Sequence, residues 1–321
     1  MKRIAVLTSG GDAPGMNAAI RAVVRTALSL GMQVYGVERG WEGLIKGNIE
    51  ELKARSVSDI IQRGGTFLKT ARCPEFIELK GQQVAAEHLE AYGIEGVIVI
   101  GGDGSFRGAK DLSDNFDIKC MGIPATIDND LAYTDYTLGF DTAVNTVLSA
   151  INSLRDTMQS HDRVSLVEVM GRHCGDIALY SGVAGGAEYI LIPEKAYDLD
   201  YIARQLVKSK LRGKTSNTIV LAEGAGKRDE IVSYLNKAAN VDIKITHLGH
   251  VQRGGSPTMA DRILATRFAL KAVEEIMRPD SVSSAIGIVG NKIVAIPFEE
   301  AFKAKKSFNE ELYVSAGLLG R

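Results

Sequence analysis

The stretch MGIPATIDND, residues 121–130, closes an apolar run with Pro124 and then sets Thr126, Asp128, Asn129 and Asp130 within five positions. If the segment is extended, Asp128 and Asp130 face the same side, because side chains alternate along a strand. A carboxylate at the end of a buried strand can take a proton from a substrate hydroxyl. Phosphoryl transfer asks little more of such a base than position, since alignment and charge neutralisation dominate; an ionised aspartate with a pKa of about 4 suffices. The bland alternative is an Asx-rich turn that caps the next helix. The other clusters along the chain decide between the two.

IGGDGS, residues 100–105, is a glycine turn from a strand into a helix. Glycines let backbone N–H groups approach a phosphate, and the start of the following helix favours an anion. Asp103 is a hard oxygen ligand of the kind Mg²⁺ takes when phosphates supply the rest; otherwise it is the N-cap of a plain βα connection. No GKS or GKT follows, and Arg107 stands where GxGxxG needs its third glycine, so neither a Walker A loop nor a dinucleotide fingerprint is present. TSGGDAPGMN, residues 8–17, is a second such turn, with Gly10 and Gly11 able to lie against a nucleotide or simply to make the first βα connection. GGTFLKTARCPEF, residues 64–76, offers Arg72 beside Cys73 on a glycine-led loop that could deliver a guanidinium to phosphates. HLGHVQRGGSP sets His250 and Arg253 three apart after a strand, and HDRVSLVEVMGRHCG places Arg163 before a strand and Arg172 after it. Each alone reads equally as a solvated charge. Four basic positions at strand ends of a nearly neutral chain point to a phosphorylated substrate. With Asp103 given to a metal, one of Asp128 and Asp130 is left for a substrate hydroxyl.

The elements that must position these residues alternate in type. Strands are expected over RIAVLTSGG, MQVYGVER, IEGVIVIGG, DIKCMGIPA, RVSLVEVMG, AEYILIPE, TSNTIVLAEG and VDIKITHLG. Helices are expected over PGMNAAIRAVVRTALSLG, with Pro14 at its start and Gly31 as its stop, over GQQVAAEHLEAYG, DTAVNTVLSAINSLRDTMQS and MADRILATRFALKAVEEIM. SAIGIVGNKIVAIPF reads as a hairpin around Gly290-Asn291. Alternating strands and helices imply an α/β protein with mostly parallel sheets, and the strand count suits two of them, with a boundary near residues 138–141. In such sheets ligands bind beyond the carboxyl ends of the strands, and TSGGDAPG, IGGDGS, PATIDND, VMGRHCG, LAEG and LGHVQRGGSP each follow an apolar run. The bulk composition excludes several classes. The 321 residues carry a net charge of −1, are 45% hydrophobic and 24% charged, and have a mean hydropathy of +0.01, so neither a nucleic-acid surface nor a membrane span is expected. Cys73, Cys120 and Cys174 are odd in number and far apart, which suits reduced thiols in the cytoplasm rather than disulfides or a zinc site.

Taken in order, LTSGGDAPGMNAAIR, RGGTFLKTAR, GGDGS, PATIDND, VEVMGRHCGD and LGHVQRGGSP resemble the bacterial ATP-dependent 6-phosphofructokinases over nearly the whole chain. The resemblance implies a cytoplasmic homotetramer with sites at subunit interfaces. Its fold would be two Rossmann-like α/β/α domains with mostly parallel sheets and the active site in the cleft between them. Residues 1–138 with about 251–302 would form a larger ATP-binding domain, and 139–250 with about 303–321 a smaller sugar-phosphate domain. The implied reaction is Mg·ATP plus fructose 6-phosphate to ADP plus fructose 1,6-bisphosphate. Gly11, Arg72, Cys73, Gly102, Asp103, Gly104 and Ser105 would line ATP, with Asp103 serving Mg²⁺. Asp128 would be the base at the sugar 1-hydroxyl, supported by Asp130. Thr126 and Arg172 would hold the transferring group, with Arg72 bridging donor and acceptor. Met170 and Glu223 would bind the sugar, with Ile127, Gly171, Val251 and Gln252 in the same substrate set. His250 and Arg253, with Arg163 and Lys244 from a neighbouring subunit, would hold the 6-phosphate. Arg21, Arg25, Arg55, Asp59, Arg155, Gly186, Glu188, Arg212, Lys214 and Ser216 fall where the family binds ADP or phosphoenolpyruvate as effectors, although Arg21 and Arg25 alone read as one solvated helix face.

Three positions depart from the family pattern. Ala125 stands where ATP-using members have Gly, Lys244 where Arg is usual, and Ser216 where a His is often found. Pyrophosphate-using relatives carry Lys at 125 and Asp at 104, so the small Ala125 and retained Gly104 favour ATP. A pyrophosphate-dependent enzyme and a catalytically silent regulatory subunit are the competing readings.

Overall fold

In a computed structural model, residues 1–214 and 216–319 are described; the last two residues of the expected second domain lie outside them. The chain divides into two units. One comprises Met1–Ile127, Leu131–Thr142 and Arg253–Lys306, the other Asp128–Asp130, Ala143–Gln252 and Ser307–Arg321.

The first unit is built on a seven-stranded sheet in the order β11-β10-β5-β4-β1-β2-β3. Its strands are β1 (Arg3–Thr8), β2 (Gln33–Val37), β3 (Ile49–Leu52), β4 (Gly96–Gly101), β5 (Lys119–Pro124), β10 (Ser284–Val289) and β11 (Lys292–Pro297). Pairing is parallel except at the edges, where β3 runs against β2 and β11 against β10. β4 is buried along its whole length, as a strand covered on both faces must be, which is why its sequence is an unbroken apolar run. Gly290 (φ 52°) and Asn291 (φ 66°) turn the β10–β11 hairpin as the sequence expects. Alternate residues of β1, β4 and β5 (Ala5, Leu7, Val97, Val99, Cys120) join a core with Leu44, Leu89, Phe106 and Phe298 from α2 (Gly40–Ile45), α3 (Leu79–Ala91), α4 (Asp103–Phe116) and α10 (Phe298–Lys303). The other face meets the packed pair α1 (Met16–Ser29) and α9 (Met259–Met277). The first helix starts two residues later than Pro14 suggests, because Gly15 takes a left-handed φ of 100° at the turn. The chain leaves β1 for β2 on one side and later returns to β4 on the other. The carboxyl ends of β1 and β4 therefore flank the switch point where open α/β sheets bind ligands.

The second unit has four parallel strands in the order β7-β8-β6-β9: β6 (Val164–Val169), β7 (Tyr189–Leu191), β8 (Asn217–Ala222) and β9 (Ile243–His247). Val164, Leu166, Ile219 and Leu221 pack with Ile202, Leu206, Ile231 and Leu235 from α7 (Leu199–Leu211) and α8 (Arg228–Ala239). α6 (Asp176–Ala184) packs on β8, and α11 (Glu310–Leu319) on α6 and β7. The 21-residue α5 (Phe140–Ser160) starts in the first unit and continues into the second. Among the described residues no helix is long and apolar enough to cross a membrane.

Candidate active site

In the first unit two glycine turns lie side by side beyond β1 and β4. The Ser9 N–H donates to Ile100 O at 3.0 Å, and a Cβ on Gly101 would come within 2.5 Å of Ser9 O. Past these points the turns open. A Cβ on Gly102 or Gly104 would meet nothing within 4 Å, so both leave backbone bare to a ligand. Gly102 is the cap residue of α4, and Asp103 is the helix's first residue rather than its cap. The Asp103 carboxylate is exposed and paired with Arg107 Nε at 2.7 Å, an i,i+4 contact on the same helix. No group of three or more His, Cys, Asp or Glu that could cage a metal exists among the described residues. That donor set does not suit a protein-caged ion. It suits Mg²⁺, which binds through one or two carboxylates while substrate phosphates and water complete its shell. The open cradle at Gly102 and Gly104 leaves room for those phosphates.

Asn17, buried at the start of α1, fixes the loop that leads to Arg72. Its amide nitrogen donates to Arg63 O and Gly64 O, both at 3.1 Å, and its oxygen accepts the Phe67 N–H at 2.8 Å. Thr70 then donates to Gly10 O at 2.7 Å, tying the same loop to the first turn. Arg72 itself is exposed. Burial pushes the Cys73 thiol up, aided by Glu75, which disfavours the reactive thiolate. Arg253 also belongs to this unit: its guanidinium lies where a Cβ on Gly11 would be, 2.6 Å from Nη1.

The segment 126–130 is not extended. Ile127 and Asp128 form a turn and Asn129 has φ 51°, a left-handed conformation that Asn tolerates, so the strand alternation that would align Asp128 with Asp130 is lost. Asp128 is half-buried and Asp130 exposed. Thr126 stands on an arm pinned by Thr137, whose hydroxyl donates to Thr126 O at 2.6 Å, and by the Leu138 N–H on Pro124 O at 3.0 Å. The three residues Asp128, Asn129 and Asp130 are counted with the second unit, where the Asn129 amide donates to Asp176 at 2.9 Å.

In the second unit the carboxyl ends of β6, β8 and β9 gather the remaining acceptor candidates. Met170, Gly171 and Arg172 follow β6, Glu223 follows β8, and His250, Val251 and Gln252 follow β9. Gln252 is fully buried and joins two of these ends, accepting the Met170 N–H at 3.2 Å and donating to Gly249 O at 2.9 Å. Glu168 joins them again, through Arg228 at 2.9 Å and His247 Nδ1 at 2.7 Å. Arg172, Glu223 and His250 are exposed beyond the strand ends. Arg163 and Lys244 are not with them. Both pair at 3.0 Å with Asp242, at the amino end of the same sheet, and together hold that carboxyl below its usual range, Lys244 most strongly.

The effector candidates fall in both units. Arg21, Arg25, Arg55 and Asp59 belong to the first, with Arg21 half-buried on α1 and the others exposed. In the second, Arg155 donates to Gly186 O at 3.1 Å and Lys214 pairs with Glu188 at 2.8 Å, with Arg212 exposed and Ser216 half-buried nearby in the chain.

Sequence reasoning passed over Asn17 and Asp261. Asp261, in the first turn of α9, is 1% exposed, and burial raises its carboxyl above the usual range against hydrogen bonds from Thr142 and Gly139 that lower it. A buried aspartate beside SPT at a helix start is a legible cap signal for its own helix, but not for its distant partners.

The family profile described as Phosphofructokinase matches residues 3–276. An ATP-dependent 6-phosphofructokinase of Clostridium botulinum is 58% identical over 321 residues, all of both chains. A solved phosphofructokinase from Saccharomyces cerevisiae superposes with a TM-score of 0.89 at 37% identity over 94% of this chain, which spans only 45% of the yeast chain. A pyrophosphate-dependent phosphofructokinase from Marinobacter aquaeolei shares the fold, with a TM-score of 0.88 at 22% identity over 99% of this chain and 88% of that one.

Proposed function

The chain belongs to the phosphofructokinase family, and on that premise we propose that it transfers the γ-phosphoryl group of ATP to the 1-hydroxyl of fructose 6-phosphate, giving ADP and fructose 1,6-bisphosphate. The observation that carries the donor assignment is the open glycine turn at Gly102 and Gly104, set beside an exposed Asp103 at a helix start. The first unit binds ATP along this turn and the turn at Gly11, flanked by Ser105, Arg72 and Cys73. Mg²⁺, when held by Asp103 and the donor phosphates, neutralises phosphate charge. Asp128 takes the proton of the sugar 1-hydroxyl, with Asp130 in support, while Thr126, Arg72 and Arg172 orient the group in flight. Such a reaction needs alignment and charge stabilisation far more than a strong base. The second unit holds the sugar through Met170 and Glu223, and His250 with Arg253 takes the 6-phosphate.

Arg163 and Lys244 serve a neighbouring subunit's substrate in a homotetramer. Arg163 precedes β6, whose six residues span roughly 20 Å at 3.3 Å per residue before the carboxyl edge that presents Arg172, and Lys244 is the second residue of β9, three residues or about 10 Å short of that strand's carboxyl end. Arg21, Arg25, Arg55 and Asp59 of the first unit, and Arg155, Gly186, Glu188, Arg212, Lys214 and Ser216 of the second, are the effector-binding positions for ADP or phosphoenolpyruvate.

A coupled assay for fructose 1,6-bisphosphate, run first with Mg·ATP and then with Mg·pyrophosphate, tests the reading. Product with ATP alone is expected. The fold does not choose the donor, since a pyrophosphate-dependent enzyme shares it. Product with pyrophosphate alone would replace the donor assignment, and product with neither would leave a regulatory subunit.

A further inference from the structure

Two helix starts in the first unit cap one another. Asp261 Oδ1, from the first turn of α9, accepts the Gly139 N–H at 2.9 Å, and Oδ2 accepts the N–H and hydroxyl of Thr142, at 2.9 and 2.5 Å, in the first turn of α5. In return Thr258, the N-cap of α9, donates its hydroxyl to Asp141 at 2.5 Å, and its N–H goes to the Thr142 hydroxyl at 3.0 Å. Each carboxylate thus meets first-turn N–H groups, or the cap, at a positive helix end.

The reach of this clasp extends to the loop that carries the acceptor chemistry. Gly139, whose N–H Asp261 holds, has φ 93° and lies so close to Ile127 that a Cβ would be 3.1 Å from its side chain. Leu138 and Thr137, the preceding residues, bind Pro124 O and Thr126 O. The arm that Asp261 clamps is therefore zipped to the arm that runs through Thr126 and Ile127 directly into Asp128.

We propose that Asp261 is a positioning residue for phosphoryl transfer: by fixing residues 137–142 it sets the backbone on which Thr126 and Asp128 stand. The inference rests on Asp128 being the base. A carboxylate displaced by about an ångström loses up to ~10²-fold in rate without any loss of binding groups.

The test is a double-mutant cycle on the full chain with Mg·ATP and fructose 6-phosphate. Asp261→Asn keeps volume but turns one acceptor oxygen into a donor facing an N–H. It is expected to lower kcat ~10- to 100-fold with both KM values within about threefold, and to lower kcat no further when Asp128 is already Ser. Thr142→Val, which removes the hydroxyl that donates to Asp261 and accepts the Thr258 N–H but keeps the Thr142 N–H on Asp261, gives the same pattern in milder form and serves if Asp261→Asn does not fold. An Asp261→Asn loss that is equal in both Asp128 backgrounds, or that appears in KM alone, would overturn the positioning role while leaving the base in place. Near wild-type kcat for Asp128→Ser alone would overturn the base assignment and this inference with it.

Discussion

The carboxyl edges of the two sheets both use glycine, for opposite ends. Beyond β4 in the first unit, a methyl on Gly102 or Gly104 would touch nothing within 4 Å. Beyond β6 and β8 in the second, a methyl on Gly171 would come within 2.4 Å of Cys174 O, and one on Gly224 within 1.9 Å of Arg172 O. The first pair keeps backbone bare for something that is not protein. The second lets protein backbone approach protein backbone, so that Arg172 is carried on a tight double turn. On the proposed function, the difference shows how two similar architectures would divide one reaction: the first edge would read phosphates through N–H groups and a helix start, and the second through guanidinium and imidazole side chains.

The largest effect should come from the residue at which the chain passes briefly into the second unit. Asp128→Ser is expected to bind both substrates and lose ~10²–10⁴ in kcat, since a positioned base contributes about that much. Single-turnover and steady-state rates of the purified variant measure it, and an unchanged kcat removes the base from the account. Next is the contrast between filled and open glycines. Gly224→Ala forces the Arg172 backbone to move, at a cost of ~1–3 kcal/mol for overpacking, and should lower Tm by several degrees. Gly104→Ala has open space around it and should leave Tm within about a degree, so calorimetry of the pair decides whether the two edges differ as described. The smallest expected effect is at the amino edge. Lys244→Ala should raise the KM for fructose 6-phosphate about tenfold, the worth of one charge-assisted contact, with little change in the KM for ATP. Equal rises in both would make Lys244 a surface lysine that only neutralises Asp242.

Most of the fold was legible because buried parallel strands read as continuous apolar runs, as in GVIVIG of β4, and because Gly290-Asn291 announces its own hairpin. β3 was not legible. Its IEEL carries two exposed acids, which suits an edge strand and hides it from any search for apolar runs. The positions of the site residues were legible as clusters at strand ends, yet their local geometry was not. The left-handed Asn129 breaks the alternation that an extended TIDND would have, and nothing in the letters says that a single Asn will adopt that conformation. Nor do the letters separate an open glycine from a filled one, since Gly104 and Gly224 differ only in what the fold brings beside them. Asp261 was hidden for the same reason: the groups it holds lie 119 and 122 residues away in the chain.

The division of labour between the two edges is the central claim, and two-substrate kinetics on two single variants test it most directly. Gly104→Ala puts a methyl into the donor cradle, and His250→Ala removes an acceptor imidazole. With each substrate varied at saturating levels of the other, Gly104→Ala should raise the KM for ATP and spare that for fructose 6-phosphate. His250→Ala should do the reverse. A pattern in which both variants raise the same KM, or each raises both equally, would contradict the assignment of the donor to the glycine turn after β4 and of the acceptor to the strand ends that carry His250.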